Sequence, residues 1–219
     1  MSAALYVDAL DLGAGAVLVC AVTTLWRRDL RANVSLLATQ GVALGAVAGV
    51  QAARTGDAGL AVVAVLVLAA KGIAIPKLLS AVVRRDPRSR ETAPLVNVPA
   101  SLVAAGMLVV VAFLASSRLT ALLPGSTARL APLGLATVLV GFLVLVIRRK
   151  AVSQIIGLLL VDNGIALVAF VLTAGVPLVV ELGASLDVLL VVVVLRLLAA
   201  RMHTRFGPVD PDQLRELHD

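Results

Sequence analysis

Residues 158–170 read LLLVDNGIALVAF, a run suited to hydrocarbon except where Asp162 and Asn163 interrupt it. A charge near the centre of a bilayer costs at least about 2.5–3.5 kcal/mol on insertion scales, so such residues face a bundle interior or a water-filled path. Read outward, the run belongs to an apolar block covering about 152–173, and blocks of that kind recur along the chain. Of the 219 residues 60% are hydrophobic and 15% charged, where soluble domains carry roughly 45–50% and 25%. About 18 or more successive apolar residues can cross the ~30 Å hydrocarbon core as a helix. The chain therefore reads as an all-α, polytopic integral membrane bundle.

Seven spans are expected, at about 7–26, 33–53, 58–83, 98–117, 128–147, 152–173 and 178–200. The third contains Pro76, which predicts a kink or tilt there. Lysine and arginine are distributed unevenly between the loops. With the N-terminus outside, the inner segments hold Arg27, Arg28, Arg31, Arg84, Arg85, Arg88, Arg90, Arg148, Arg149, Lys150, Arg201, Arg205 and Arg215, against Arg54, Arg118 and Arg129 outside. The positive-inside rule then gives N-out and C-in. Trp26 and Tyr6, at the two ends of the first span, fit interfacial anchors. MSAALYVDAL lacks a basic leader region, so no cleaved signal peptide is expected.

The net charge of +6 lies in short clusters between apolar blocks, which is a loop pattern and not a nucleic-acid patch. Cys20 is the only cysteine, so neither an internal disulfide nor an iron–sulfur cluster is expected. His203 and His218 both lie in or near the tail, where they cannot ligate a haem inside the membrane. No GxxxxGK[ST] loop and no HExxH helix are present. No cofactor, metal or catalytic site of its own is therefore expected. The tail, HTRFGPVDPDQLRELHD, reads as a turn and then a short helix capped by Asp210, with Leu214 and Leu217 on one face.

The ionisable residues placed within spans are Lys71, Lys77, Asp162, Asp187 and Arg196, with Glu181 at the outer end of the seventh. At about 1.5 Å of rise per residue, Asp162 lies ~15 Å into the sixth span and Asp187 ~14 Å into the antiparallel seventh. Lys71 is central in the third, while Lys77 and Arg196 stand nearer the inner headgroups. Desolvation favours the neutral forms of carboxyls and amines, and a neighbouring opposite charge favours the charged forms. Two carboxylates and a lysine at one depth thus suit a buried proton relay. They also suit a static Asp162–Lys71 pair joining helices, or a small-ligand or ion site. Asn163, Gly164 and Ser153 read as packing residues, and TQGVALGAVAG at 39–49 predicts close helix contact with Gln40 as an interhelical hydrogen-bonding group.

The carboxyl-terminal half, LLLVDNGIALVAFVLTAGVPLVVELGASLDVLLVVVVLRLLAARMHTRFGPVDPDQLREL, resembles component E of the hydrogenase-4 and formate hydrogenlyase membrane arms. The resemblance rests on the acidic-Asn-Gly step, the GVPLVVELG turn, the Asp in the next span and the RFGPVD exit. VLAAKGIAIPKLL upstream is similar to the same family. It implies a membrane subunit of a complex I-like assembly whose last three helices resemble complex I subunit K. The organisation implied is a four-helix segment at 1–127, a subunit K-like three-helix segment at 128–205 and a cytoplasmic tail at 206–219.

On that resemblance Asp162 and Asp187 stand for the acidic residues of the central proton-transfer axis, although the family usually has Glu at the position of Asp162. Lys71 and Glu181 are candidates beside them. The partners implied are antiporter-like membrane subunits and a quinone-oxidoreductase or hydrogenase-type peripheral module with iron–sulfur proteins. The location implied is a bacterial or archaeal cytoplasmic membrane. The rival readings are a purely structural scaffold of such a complex and a free-standing cation carrier.

Overall fold

The computed structural model describes residues 2–84, 96–122 and 127–173, all within one unit, Met1–Ala184. Among these residues it is all helical. Helix α1 is Ala3–Trp26 and α2 is Leu30–Thr55. Next come α3 (Ala58–Val67), a π-helical segment (Leu68–Ala74) and α4 (Ile75–Arg84), which follow one another without a break. Then α5 runs Val98–Leu122, a 3₁₀ turn at Ala128–Leu130 leads into α6 (Ala131–Ile147), and α7 is Ala151–Thr173. Counting Ala58–Arg84 as one rod, six helices among the described residues are long and apolar enough to cross a membrane. The chain is a multi-pass membrane protein. The seventh expected span, 178–200, lies outside the described residues, as does the tail.

The helices start and stop where local chemistry dictates. The Ser2 hydroxyl accepts from the Leu5 N–H, and the carboxylates of Asp29 and Asp57 cap α2 and α3 by accepting from Arg31 and from Gly59 and Leu60. Gly56 ends α2 at φ 70°, a left-handed conformation glycine adopts without steric cost, and its N–H donates to Ala52 O. Adjacent Gly56 and Asp57 therefore close one helix and open the next. Pro132 stands in the first turn of α6, where its missing N–H costs nothing.

Pro76 does not itself mark the irregularity expected of the third span. The backbone departs from α geometry just before it, over Leu68–Ala74, where the Ile75 N–H donates to Ala70 O five residues back. A proline ring collides with the carbonyl four residues earlier, here that of Gly72. The widened turn gives it room, and α4 continues to Arg84.

Packing depends on glycine. A Cβ on Gly134 or Gly141 of α6 would meet the backbone of Val168 or Val161 at 2.9 or 2.7 Å, and one on Gly164 of α7 would meet Val138 N at 2.7 Å. These absent side chains let α6 and α7 lie backbone to backbone, as small residues do in membrane bundles. Likewise Gly41 of α2 rests on the main chain of Lys71, and Gly45 faces Leu68 at 3.2 Å. The 39–49 run is thus the seat of the π segment. By contrast α5 is peripheral: 17% of its membrane window is buried, against 61% for α7. Its Val103, Met107, Val110 and Leu114 are exposed, an apolar face fit for lipid or another subunit.

Candidate functional site

Lys71 is the central residue of Ala58–Arg84, and Asp162 is the central residue of Ala151–Thr173. The fold brings these two midpoints together: Lys71 Nζ lies 2.6 Å from Asp162 Oδ2. The lysine side chain is 4% exposed and the aspartate 15%. Lys71 sits inside the π segment, and its backbone is pressed against Gly41. The amine is therefore presented by a tightly seated turn and not by a freely swinging helix face.

A second polar link lies beside the first. Asn163, one position on from Asp162, points to a different neighbour around α7, and its Nδ2 donates to Gln40 Oε1 at 2.7 Å. Gln40 Nε2 in turn donates to the carbonyl of Val17 in α1 at 2.9 Å. Both amides are buried. Two consecutive residues of α7 thus tie it to the π segment on one side and, through Gln40, to α2 and α1 on another. Replacing Gln40 with leucine is expected to cost about 0.6–2 kcal/mol, the range of interhelical hydrogen bonds in membrane proteins. Thermal unfolding of the purified chain in detergent checks it.

Other polar contacts hold the ends of the bundle. Arg148, read from sequence as one of the basic residues of an inner loop, is buried, and its Nη2 donates to the carbonyls of Thr24, Leu25 and Arg27 at 2.8, 3.1 and 3.0 Å. It satisfies the orphan carbonyls at the end of α1, where a cation is also favoured by the helix dipole. Nothing in the pattern RRK distinguishes its first residue from the other two. At the other end Gln51 Nε2 donates to Phe170 O and Thr127 Oγ1 to Val171 O, each at 2.8 Å. An exposed pair, Arg129 with Asp11 at 2.6 Å, joins the 3₁₀ turn to α1. Among the described residues no three His, Cys, Asp or Glu side chains stand where they could hold a metal ion.

Of the residues singled out from sequence, Lys71 and Asp162 are in contact, while Asp187, Glu181 and Arg196 lie outside the described residues. Lys77 is exposed on α4. Gly164 and Ser153 are both buried in the packing of α7, Gly164 against Val138.

No family model and no solved structure matches the chain. A relative does. Over 220 residues, which cover the whole of both proteins, the chain is 44% identical to the uncharacterized protein Rv0085 of Mycobacterium tuberculosis. The chain belongs to the Rv0085 family. Within this member, the site at the helix midpoints joins the Lys71–Asp162 contact to the neighbouring Asn163–Gln40 amide pair.

Proposed function

We propose that this chain is a non-redox membrane subunit of a proton-translocating, complex I-like oxidoreductase of the hydrogenase-4 or formate hydrogenlyase type. Asp162 holds and passes a proton there, and Lys71 is its electrostatic partner. The observation that carries the proposal is the buried Lys71–Asp162 contact between the midpoints of two membrane-length helices. Its setting adds support, because π-helical turns occur frequently at functional sites. Asp187 enters on the resemblance to component E, Glu181 on its place at the outer end of an expected seventh span at 178–200, and the N-out, C-in orientation on the distribution of lysine and arginine, with a cytoplasmic-membrane location. In this reading redox energy released in iron–sulfur partners alters the field along a hydrated axis. The pair then exchanges its proton with the next carboxylate.

A scaffold role is the second reading, favoured by the glycine contacts and by the directness of the ion pair. Gentle affinity purification from native membranes, with co-eluting chains identified by mass spectrometry, tests the assembly common to both. Antiporter-like subunits together with iron–sulfur proteins are expected. A stable chain eluting alone, in detergent mild enough to preserve other complexes, and catalysing cation flux in liposomes would contradict both and favour a carrier.

A further inference from the structure

A groove of about 390 Å³ opens on the surface between α2 and the rod formed by the π segment and α4. Its floor is apolar, with Val34 and Ala38 from one side and Ile73 and Pro76 from the other. Two cations, Arg31 and Lys77, stand on opposite walls, and both are exposed. Arg31 lies in the first turn of α2, at the end of the bundle where Arg27, Arg28 and Arg84 are also exposed. Lys77 is six residues beyond the midpoint Lys71, which places its backbone ~9 Å from the bilayer centre. Its four-carbon stem then carries the ammonium up to the headgroup level. Asp29, two residues before Arg31, caps α2 by accepting from the Arg31 N–H.

We infer that this groove is a binding site for an anionic phospholipid, its phosphate held between Arg31 and Lys77 and an acyl chain laid along the apolar floor. Charge complementarity selects the occupant. Two cations facing across an apolar cleft at headgroup depth complement a phosphodiester that carries hydrocarbon below it, and basic clefts between spans hold anionic headgroups in this way. A neutral lipid leaves both cations without a counter-charge, and free phosphate leaves the floor bare. The Ser35 hydroxyl on the same wall supplies a further donor to the headgroup. The inference does not depend on the proton role of Asp162.

Native mass spectrometry of the detergent-solubilised full chain, given equal amounts of phosphatidylglycerol and phosphatidylcholine with matched acyl chains, tests it. Phosphatidylglycerol is expected to be retained preferentially. Arg31→Gln with Lys77→Gln should weaken its retention about thirtyfold, the combined effect of two surface cations. Arg28→Gln with Arg84→Gln removes the same charge away from the groove and should leave retention unchanged. Equal retention of the two lipids, or full retention by the groove variant, would overturn the assignment, as would displacement of the lipid by inorganic phosphate alone. A photoreactive phosphatidylglycerol added to the unsubstituted chain decides the matter independently of how the variants fold. Crosslinks should concentrate at residues 31–38 and 72–80, and an even spread around the bundle, or crosslinks elsewhere, would overturn it.

Discussion

Substituting methionine for Lys71 is expected to destabilise the bundle by about 3–5 kcal/mol, the cost of removing one partner from a buried ion pair. The loss exceeds that of a deleted contact because the Asp162 carboxyl then stands inside the bundle without the ammonium 2.6 Å away, and an unpartnered buried acid is costly in either form. Replacing both partners by apolar residues of similar volume, Lys71→Met with Asp162→Leu, should recover most of it, since such swaps of buried pairs are often neutral. Unfolding free energies of the two single variants and the double variant form a cycle that isolates the coupling. Losses that simply add would show that the two side chains do not depend on each other. That result would remove the contact from any account of this protein.

Gly41→Ala should cost about 3 kcal/mol, the upper end of the ordinary range for overpacking. The new Cβ would fall on the main-chain carbonyl of Lys71, which cannot rotate away as a side-chain tip can. Relief requires α2 to separate from the π segment, and that movement displaces the amine from Asp162. Stability and site geometry should therefore fail together. Gly106→Ala is the control: an added Cβ there meets nothing within 4 Å, and the change should stabilise α5 by about 0.5–1 kcal/mol. Thermal unfolding of both variants in one detergent gives the comparison. A neutral Gly41→Ala would mean that α2 and the π segment do not pack as closely as described.

Much of the fold was legible because lipid imposes a simple length requirement. The expected spans at 98–117 and 128–147 coincide with the membrane spans Val98–Ser117 and Ala128–Ile147, and 58–83 falls one residue short of Arg84. The caps lengthened α1 and α2: Ser2 begins the first helix four residues before the expected start, and Asp29 begins the second three residues early. Hydropathy registers where the chain enters hydrocarbon and is blind to where a side chain satisfies the first free N–H groups.

The site was legible in depth but not in azimuth. Counting residues placed Lys71 and Asp162 at one level, yet only the assembled bundle shows that they face each other and that Asn163 turns toward Gln40. Periodicity could not supply this, because spans that are apolar all round carry no stripe to mark the inner face. The π segment was hidden for a related reason. Pro76 announced a disturbance, but its form depends on Gly41 of another helix allowing the widened turn to settle. Arg148 was hidden because the carbonyls it satisfies belong to a helix more than 120 residues away in the chain.

The central claim is that Asp162 carries protons and does more than hold helices together. The most direct measurement is redox-driven proton uptake by the assembled complex with Asp162→Asn, at matched amounts of co-purified subunits, beside Asp162→Glu. Asparagine fills nearly the same volume and hydrogen-bonds but cannot release a proton to a neighbour, whereas glutamate retains the carboxyl. The account predicts that uptake is lost in the asparagine variant and kept in the glutamate variant. Undiminished uptake in a fully assembled Asp162→Asn complex would contradict it and leave the site a structural pair.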